Sequence, residues 1–233
     1  MHGIELRAAR VRYGPLEALH GITLAVPAAA LTVLLGRNGS GRTTALRALA
    51  GTVALSSGAV VRDGRDITRR PAHERAAGGL CFVPDRQAVF AALTVAENLE
   101  LSQAKGDVTR ALDAYPELRP LLSRGAGTLS GGEQRMLALS RALLSDARVV
   151  LVDEPTQGMS PTVAARTYAL LRGLAVAGAC VAVAEQRLPP ALRGGAGRAA
   201  VLVHELRRGA VAFSGEPGEL SPAPGPRPRY GPE

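Results

Sequence analysis

A chain of 233 residues, 46% of them hydrophobic, has enough apolar material for one large domain with a real core. No apolar run reaches the ~18 residues needed to cross a bilayer, and residues 1–11 alternate apolar with charged side chains where a secretory leader would be continuously apolar, so a cytoplasmic location is expected. The formal charge of +8 raises nucleic acid or anionic lipid as partners, yet the arginines are scattered and only 3% of residues are aromatic, which argues against a stacking platform and leaves no nucleic-acid partner expected.

Residues 4–11 and 18–26 read as an antiparallel β pair turning at Tyr13-Gly14-Pro15. The apolar run 31–35 then leads into Gly36-Arg37-Asn38-Gly39-Ser40-Gly41-Arg42-Thr43 and a helix-like stretch from Thr44 to Ala50. This follows the P-loop pattern except that Arg42 replaces lysine. Gly36, Gly39 and Gly41 free the backbone N–H groups to turn around phosphate oxygens, and the following helix N-terminus adds about half a positive charge. Thr43 would place its hydroxyl on Mg²⁺. Alone, a glycine-rich turn between strand and helix also serves tight packing. Arg42 keeps the charge of lysine but not its compact shape, and the chain's only lysine, Lys105, lies far along the sequence. Nucleotide binding with slowed hydrolysis is therefore expected at this loop.

A second hairpin turn is expected at Asp63-Gly64. Apolar runs at 80–83, 149–152 and 180–184 alternate with helical patterns, as in an α/β protein with a buried parallel sheet. Cys81 and Cys180 fall in two of these runs with no partner at metal-ligand spacing, so both are expected as buried, reduced thiols. The segment between 83 and 149 is too long for one crossover and reads as a helical subdomain, about 86–146. Thr94-Val95-Ala96-Glu97 has capping-box spacing, Pro116 and Pro120 interrupt the stretch that starts near Val108, and Met136, Leu139 and Leu143 recur at helical spacing on a helix beginning near Gly131.

The run Val149-Val150-Leu151-Val152 ends in Asp153-Glu154, which puts two carboxylates at the same sheet edge as the P-loop. Asp153 would orient Mg²⁺ or its waters, and Glu154 would polarise the water that attacks the γ-phosphate. Upstream, Leu129-Ser130-Gly131-Gly132-Glu133-Gln134 opens a helix: Ser130 can cap it, and the two glycines allow a phosphate to approach closely.

In this order the segments resemble the ATP-binding subunits of ABC transporters, over nearly the whole chain from Ile4 to about Leu220. The resemblance implies a P-loop ABC ATPase fold at 1–220 with an N-terminal antiparallel β subdomain, and ATP with Mg²⁺ as ligands; residues 221–233, rich in Pro and Gly, are expected as a disordered tail. It places Tyr13 against adenine, Asp85 of Phe82-Val83-Pro84-Asp85 near the metal and the transmembrane subunits, and Thr156-Gln157-Gly158-Met159-Ser160-Pro161 across the subunit boundary. Gln186 stands where many members carry histidine, and its amide can still bond the γ-phosphate.

Gln186, the segment 83–99 and the run 153–161 look like LivF-type subunits of branched-chain amino-acid importers; urea and amide importers are similar. The resemblance further implies a head-to-tail dimer, with a LivG-type ATPase or a second copy. Each ATP would lie between one P-loop and the Ser130, Gly131, Gly132 and Glu133 corner of the mate. Permease subunits would hold the chain on the inner membrane face, and a substrate-binding protein would act indirectly. Because Arg42, Asp85 and Gln186 all belong to this chain's own site, the expected motor is asymmetric. The alternatives are a nucleotide-binding regulatory subunit and a soluble ABC protein acting on DNA or ribosomes.

Overall fold

The computed structural model describes residues 3–102, 108–193 and 199–220. Lys105 and the tail 221–233 lie outside the described residues.

Strands β1 (Gly3–Tyr13) and β2 (Leu16–Pro27) pair antiparallel through the Tyr13 turn, and β3 (Ala30–Leu35) follows at once. Helix α1 (Arg42–Ala50) opens directly out of the glycine loop. Next come β4 (Ser57–Arg62), the Asp63-Gly64 turn and a short β5 (Arg65–Asp66), then α2 (Ala72–Ala77) and β6 (Leu80–Val83). Between β6 and β7 (Val149–Asp153) stand α3 (Val95–Glu100), α4 (Thr109–Ala114) and α5 (Gly131–Leu144). The Thr94 capping box opens α3, and Pro116 and Pro120 hold the chain after α4 in a 3-10 helix instead of a longer α-helix. Helix α6 (Pro161–Val176), β8 (Cys180–Glu185), α7 (Pro190–Arg193), β9 (Ala200–Arg207) and β10 (Ala210–Gly215) complete the order.

One sheet is antiparallel, in the order β2-β1-β4-β5; the other runs β10-β9-β3-β8-β7-β6, parallel except at the β10 edge. Covered on both faces, β3, β7 and β8 are apolar along most of their length, and period-two alternation divides their side chains between two cores. Leu31, Val33, Val150, Val152, Val181 and Val183 point into a core shared with α5 and α6. Leu34, Val149, Leu151, Ala182 and Ala184 point the other way, against α1 and the antiparallel sheet. Each fully buried Leu or Val contributes roughly 1.5–3 kcal/mol. The register then sets the site: Leu35 pairs with Glu185, and Asp153 with Ala184, so β3, β7 and β8 end side by side.

Three features depart from or extend the sequence expectations. Cys180 is buried, but Cys81 is only half-buried, because β6 is the edge strand of its sheet. The β9–β10 hairpin, not anticipated, places β9 directly beside β3. Arg75 is buried and donates to the carbonyls of Ala48 and Leu49 at 2.9 and 2.8 Å and to those of Arg70 and Thr68, closing the end of α1. Gly51 leaves room for it, since a Cβ there would lie 2.7 Å from Arg75 Nε.

His204 on β9 sits between the two sheets. Its Nε2 is 3.0 Å from the Ala25 carbonyl and so carries the proton, leaving Nδ1 to accept from the Ser214 hydroxyl at 2.7 Å. Burial holds its pKa below the usual histidine value, with the Ala25 bond opposing. The folded chain therefore binds fewer protons than the unfolded chain below about pH 6.5. Stability should be full above that pH and fall as acid is added, and the melting temperature of His204→Gln should fall less steeply over the same range.

Candidate active site

An open cleft of about 760 Å³ lies over the C-terminal ends of β3, β7 and β8. Tyr13, Arg37, Asn38, Gly39, Ser40, Gly41, Arg42, Thr43, Thr44, Asp85, Asp153, Glu154 and Gln186 all line it. Gly36 sits beneath, where a Cβ would fall 2.4 Å from both the Leu206 carbonyl and Ser40 Oγ. Gly41 caps α1 in the left-handed region at φ 105° with no side-chain cap, so the helix opens on the cleft with bare N–H groups. Tyr13 lines the cleft and is 43% exposed.

Several buried polar atoms in this cleft have no protein partner: Ser40 Oγ, Arg42 Nη1 and both carboxylate oxygens of Asp153. Asp153 is only 1% exposed, and burial first of all raises its pKa. The nearby Thr43 hydroxyl and Arg42 work against that shift without forming a hydrogen bond to either oxygen, while Asp85 and Glu154 add to it. A buried carboxylate with idle oxygens beside a hydroxyl suits a hard cation. Among the described residues no three His, Cys, Asp or Glu side chains converge into a metal cage.

Glu154 occupies a left-handed backbone at φ 49° and its N–H bonds the Ala184 carbonyl at 3.0 Å. Its Oε1 accepts from two donors, Arg42 Nη2 at 3.3 Å and Gln186 Nε2 at 3.1 Å. Arg42, 5% exposed, also reaches Asn38 Oδ1 at 3.5 Å. The guanidinium that replaces the usual lysine is thus folded onto the carboxylate expected to act as base. Asp85 lies between Arg47 and Arg86 at 3.8 and 3.9 Å.

The Ser130 corner is not in this cleft. Ser130 caps α5, its N–H donating to Glu133 Oε2 at 2.7 Å while Glu133 N–H donates back to Ser130 Oγ at 3.3 Å. Gly131 and Gly132 pack instead on the 156–161 loop, where a Cβ on Gly132 would lie 2.5 Å from the Gly158 carbonyl. Sequence reading missed Arg135, which is buried on α5 and donates to the carbonyls of Pro84 and Asp153, tying α5 to the ends of β6 and β7. It also missed the Tyr168 hydroxyl, which donates to Glu185 and meets the Thr156 hydroxyl. Burial foremost, with the Glu154 charge adding and the Tyr168 bond opposing, pushes Glu185 up to about 7. Arg208 and Gly209, the β9–β10 turn, line the cleft as well. Their only sequence signal was an Arg-Gly pair between two apolar runs.

A glycine cradle, a strand-end acid pair and a Ser130-capped helix start that lies outside their cleft define an ATP-binding cassette. Residues 19–157 match the ABC transporter family, and the chain belongs to it. It is 40% identical over 156 residues to the probable branched-chain amino acid transport ATP-binding protein LivF of Archaeoglobus fulgidus, covering 64% of this chain and 66% of that protein. It is 34% identical over 188 residues to the high-affinity branched-chain amino acid transport ATP-binding protein BraG of Pseudomonas aeruginosa, covering 78% and 81%. A nucleotide-free ATP-binding cassette from an ABC transporter superposes with a TM-score of 0.79 at 22% identity over 93% of this chain and 92% of its own, which bears on the fold alone.

Proposed function

We propose that this chain is the ATP-binding and ATP-hydrolysing subunit of an importer for branched-chain amino acids, acting in a dimer with a second, LivG-like ATPase subunit on the inner face of the membrane. The ATPase unit would span 1–220, with its helical insert at about 86–146. The observation that carries the reading is the split of the site: the phosphate cradle and the acid pair share one cleft, while Ser130, Gly131 and Gly132 lie outside it. Such a site needs a second protomer to be complete. The substrate assignment rests on the LivF and BraG similarities. No helix among the described residues is long and apolar enough to cross a membrane, so permease subunits, contacted near Asp85, would supply the pathway.

In this reading Tyr13 stacks on adenine, and the backbone of 36–44 with Arg42 Nη1 receives the phosphates. Thr43 would hold Mg²⁺ directly and Asp153 and Asp85 through its waters; the ion would offset charge on the β- and γ-phosphates. Glu154 takes the proton of the attacking water, and Gln186 bonds the γ-phosphate once it leaves Glu154. Water adds to the γ-phosphorus, the bond to ADP breaks, and phosphate departs.

The Arg42–Glu154 pair supports the asymmetric form of this motor, in which this chain's own site turns over slowly and the partner's site carries most of the flux. The test is to co-purify the chain with its permease and second ATPase and to place Glu154→Gln in this chain alone. The complex should keep most of its ATPase rate. A fall of ~10²-fold or more, typical of losing a general base, would refute the asymmetry. Failure to co-purify with any membrane partner would refute the transport role.

A further inference from the structure

We infer that Arg208 is a nucleotide-recognition residue whose guanidinium binds the phosphate nearest the ribose. This rests on the ATP-binding reading above.

Arg208 and Gly209 form the two-residue turn between β9 and β10, at φ 48° and 75°. The chain makes the same pair of left-handed angles at Asp63-Gly64, φ 50° and 79°. There the first position holds aspartate, whose short side chain suits this turn. At 208 it holds arginine, which gains nothing locally from the left-handed backbone. An outlier of this kind calls for a compensating role.

The turn is wedged into the site. Gly209 N–H donates to the Ser40 carbonyl at 2.9 Å, and its own carbonyl accepts from His20 N–H at 2.8 Å. A Cβ on Gly209 would lie 2.5 Å from His20 Cδ2 and 2.6 Å from the Ala18 carbonyl, and a Cβ on Gly41 would be 3.4 Å from Gly209 Cα. The backbone of 208 is therefore held between β2 and the phosphate cradle. Its exposed side chain lines the cleft.

Among the described residues Arg208 makes no hydrogen bond or ion pair, although neighbouring arginines do. Arg207 holds Glu205 at 2.9 and 3.0 Å, and Arg10 holds Glu17 at 2.5 Å. A free cation thus lines the same cleft as Tyr13, where adenine would stack, on a turn bonded to Ser40, where the phosphates would sit, and a bound nucleotide must bridge the interval between those two. The part of a nucleotide that spans this interval is the ribose with its first phosphate, and guanidinium matches phosphate oxygens as a two-pronged donor.

The experiment uses the full chain with Arg208→Gly and Arg208→Lys, measuring melting temperature without ligand and calorimetric affinities for MgADP and MgATP at two salt concentrations. Glycine accepts φ 48° without strain, so Arg208→Gly should melt no lower than the parent chain. It should nevertheless bind both nucleotides about tenfold more weakly, with the gap narrowing in high salt and Arg208→Lys recovering part of it. Unchanged MgADP affinity in Arg208→Gly would overturn the inference. So would a loss confined to MgATP, which would move the contact to the γ-phosphate, or a melting temperature that falls along with affinity. A parent chain that binds no MgADP would instead defeat the ATP-binding reading itself.

Discussion

Arg42→Lys should raise the steady-state ATPase rate of this chain by about tenfold, roughly 1.4 kcal/mol off the barrier. The expectation follows from what the guanidinium does at rest. Arg42 Nη2 spans Glu154 Oε1 and Asn38 Oδ1 at 3.3 and 3.5 Å, while Gln186 Nε2 holds the same Glu154 oxygen at 3.1 Å. A carboxylate oxygen already accepting two bonds has little room left to receive the O–H of a water. General-base assistance is worth about 10²–10⁴ in rate, so even partial sequestration costs an order of magnitude. Lysine is shorter than arginine and carries a compact, point-like ammonium, so it would let go of the Glu154 oxygen and be drawn to the phosphates. Removing the charge altogether would be a worse test, because Glu154 would then lose its partner at the floor of the cleft. Phosphate release at saturating MgATP, with affinity measured alongside, checks the point. An unchanged rate would mean that nucleotide dissolves the pair before chemistry begins and that another step limits turnover.

The parts of the site that were legible in the sequence are those whose chemistry is local. A phosphate cradle must be built from consecutive backbone N–H groups, so it leaves a continuous string, 36–44. The acid pair is legible because a strand buried on both faces can end in two charges only at the sheet edge. The capping boxes at Thr94 and Ser130 are also four-residue affairs, and both form. What stayed hidden depends on distant chain segments meeting. Arg42 and Glu154 are 112 positions apart, and nothing in either string says that the guanidinium folds onto the acid. Arg75 reaches back to the carbonyls of α1 across 26 and 27 positions. Arg208 enters the cleft only because β9 lies beside β3, a matter of strand order. The half-exposure of Cys81 has the same origin, since an apolar run does not announce whether it will be central or at an edge.

Gly132→Ala should leave MgATP binding at the chain's own cleft intact while lowering the ATPase rate of the assembled dimer by about 100-fold or more, the scale expected when a phosphate-facing donor is misplaced. Local propensity points the other way. Position 132 lies in the first turn of α5, where alanine is a better helix former than glycine by about 0.8–1 kcal/mol. The obstacle is tertiary: a Cβ would stand 2.5 Å from the Gly158 carbonyl, and Gly158 is itself at φ 75° with its own Cβ position 3.2 Å from Gly132 N. The atom in the way is backbone, so relieving the contact moves the Ser130 corner and the 156–161 loop apart. The Ser130 corner is the element proposed to meet the partner's nucleotide, and the 156–161 loop is the one expected across the subunit boundary. The cradle at 36–44 does not touch Gly132, and MgATP affinity of the isolated chain should not change. Calorimetry on the single chain and ATPase assays on the purified dimer separate the two readouts. Equal rates for Gly132→Ala and the parent dimer would mean that this corner does not reach a phosphate, and a site shared between two protomers would have to be abandoned.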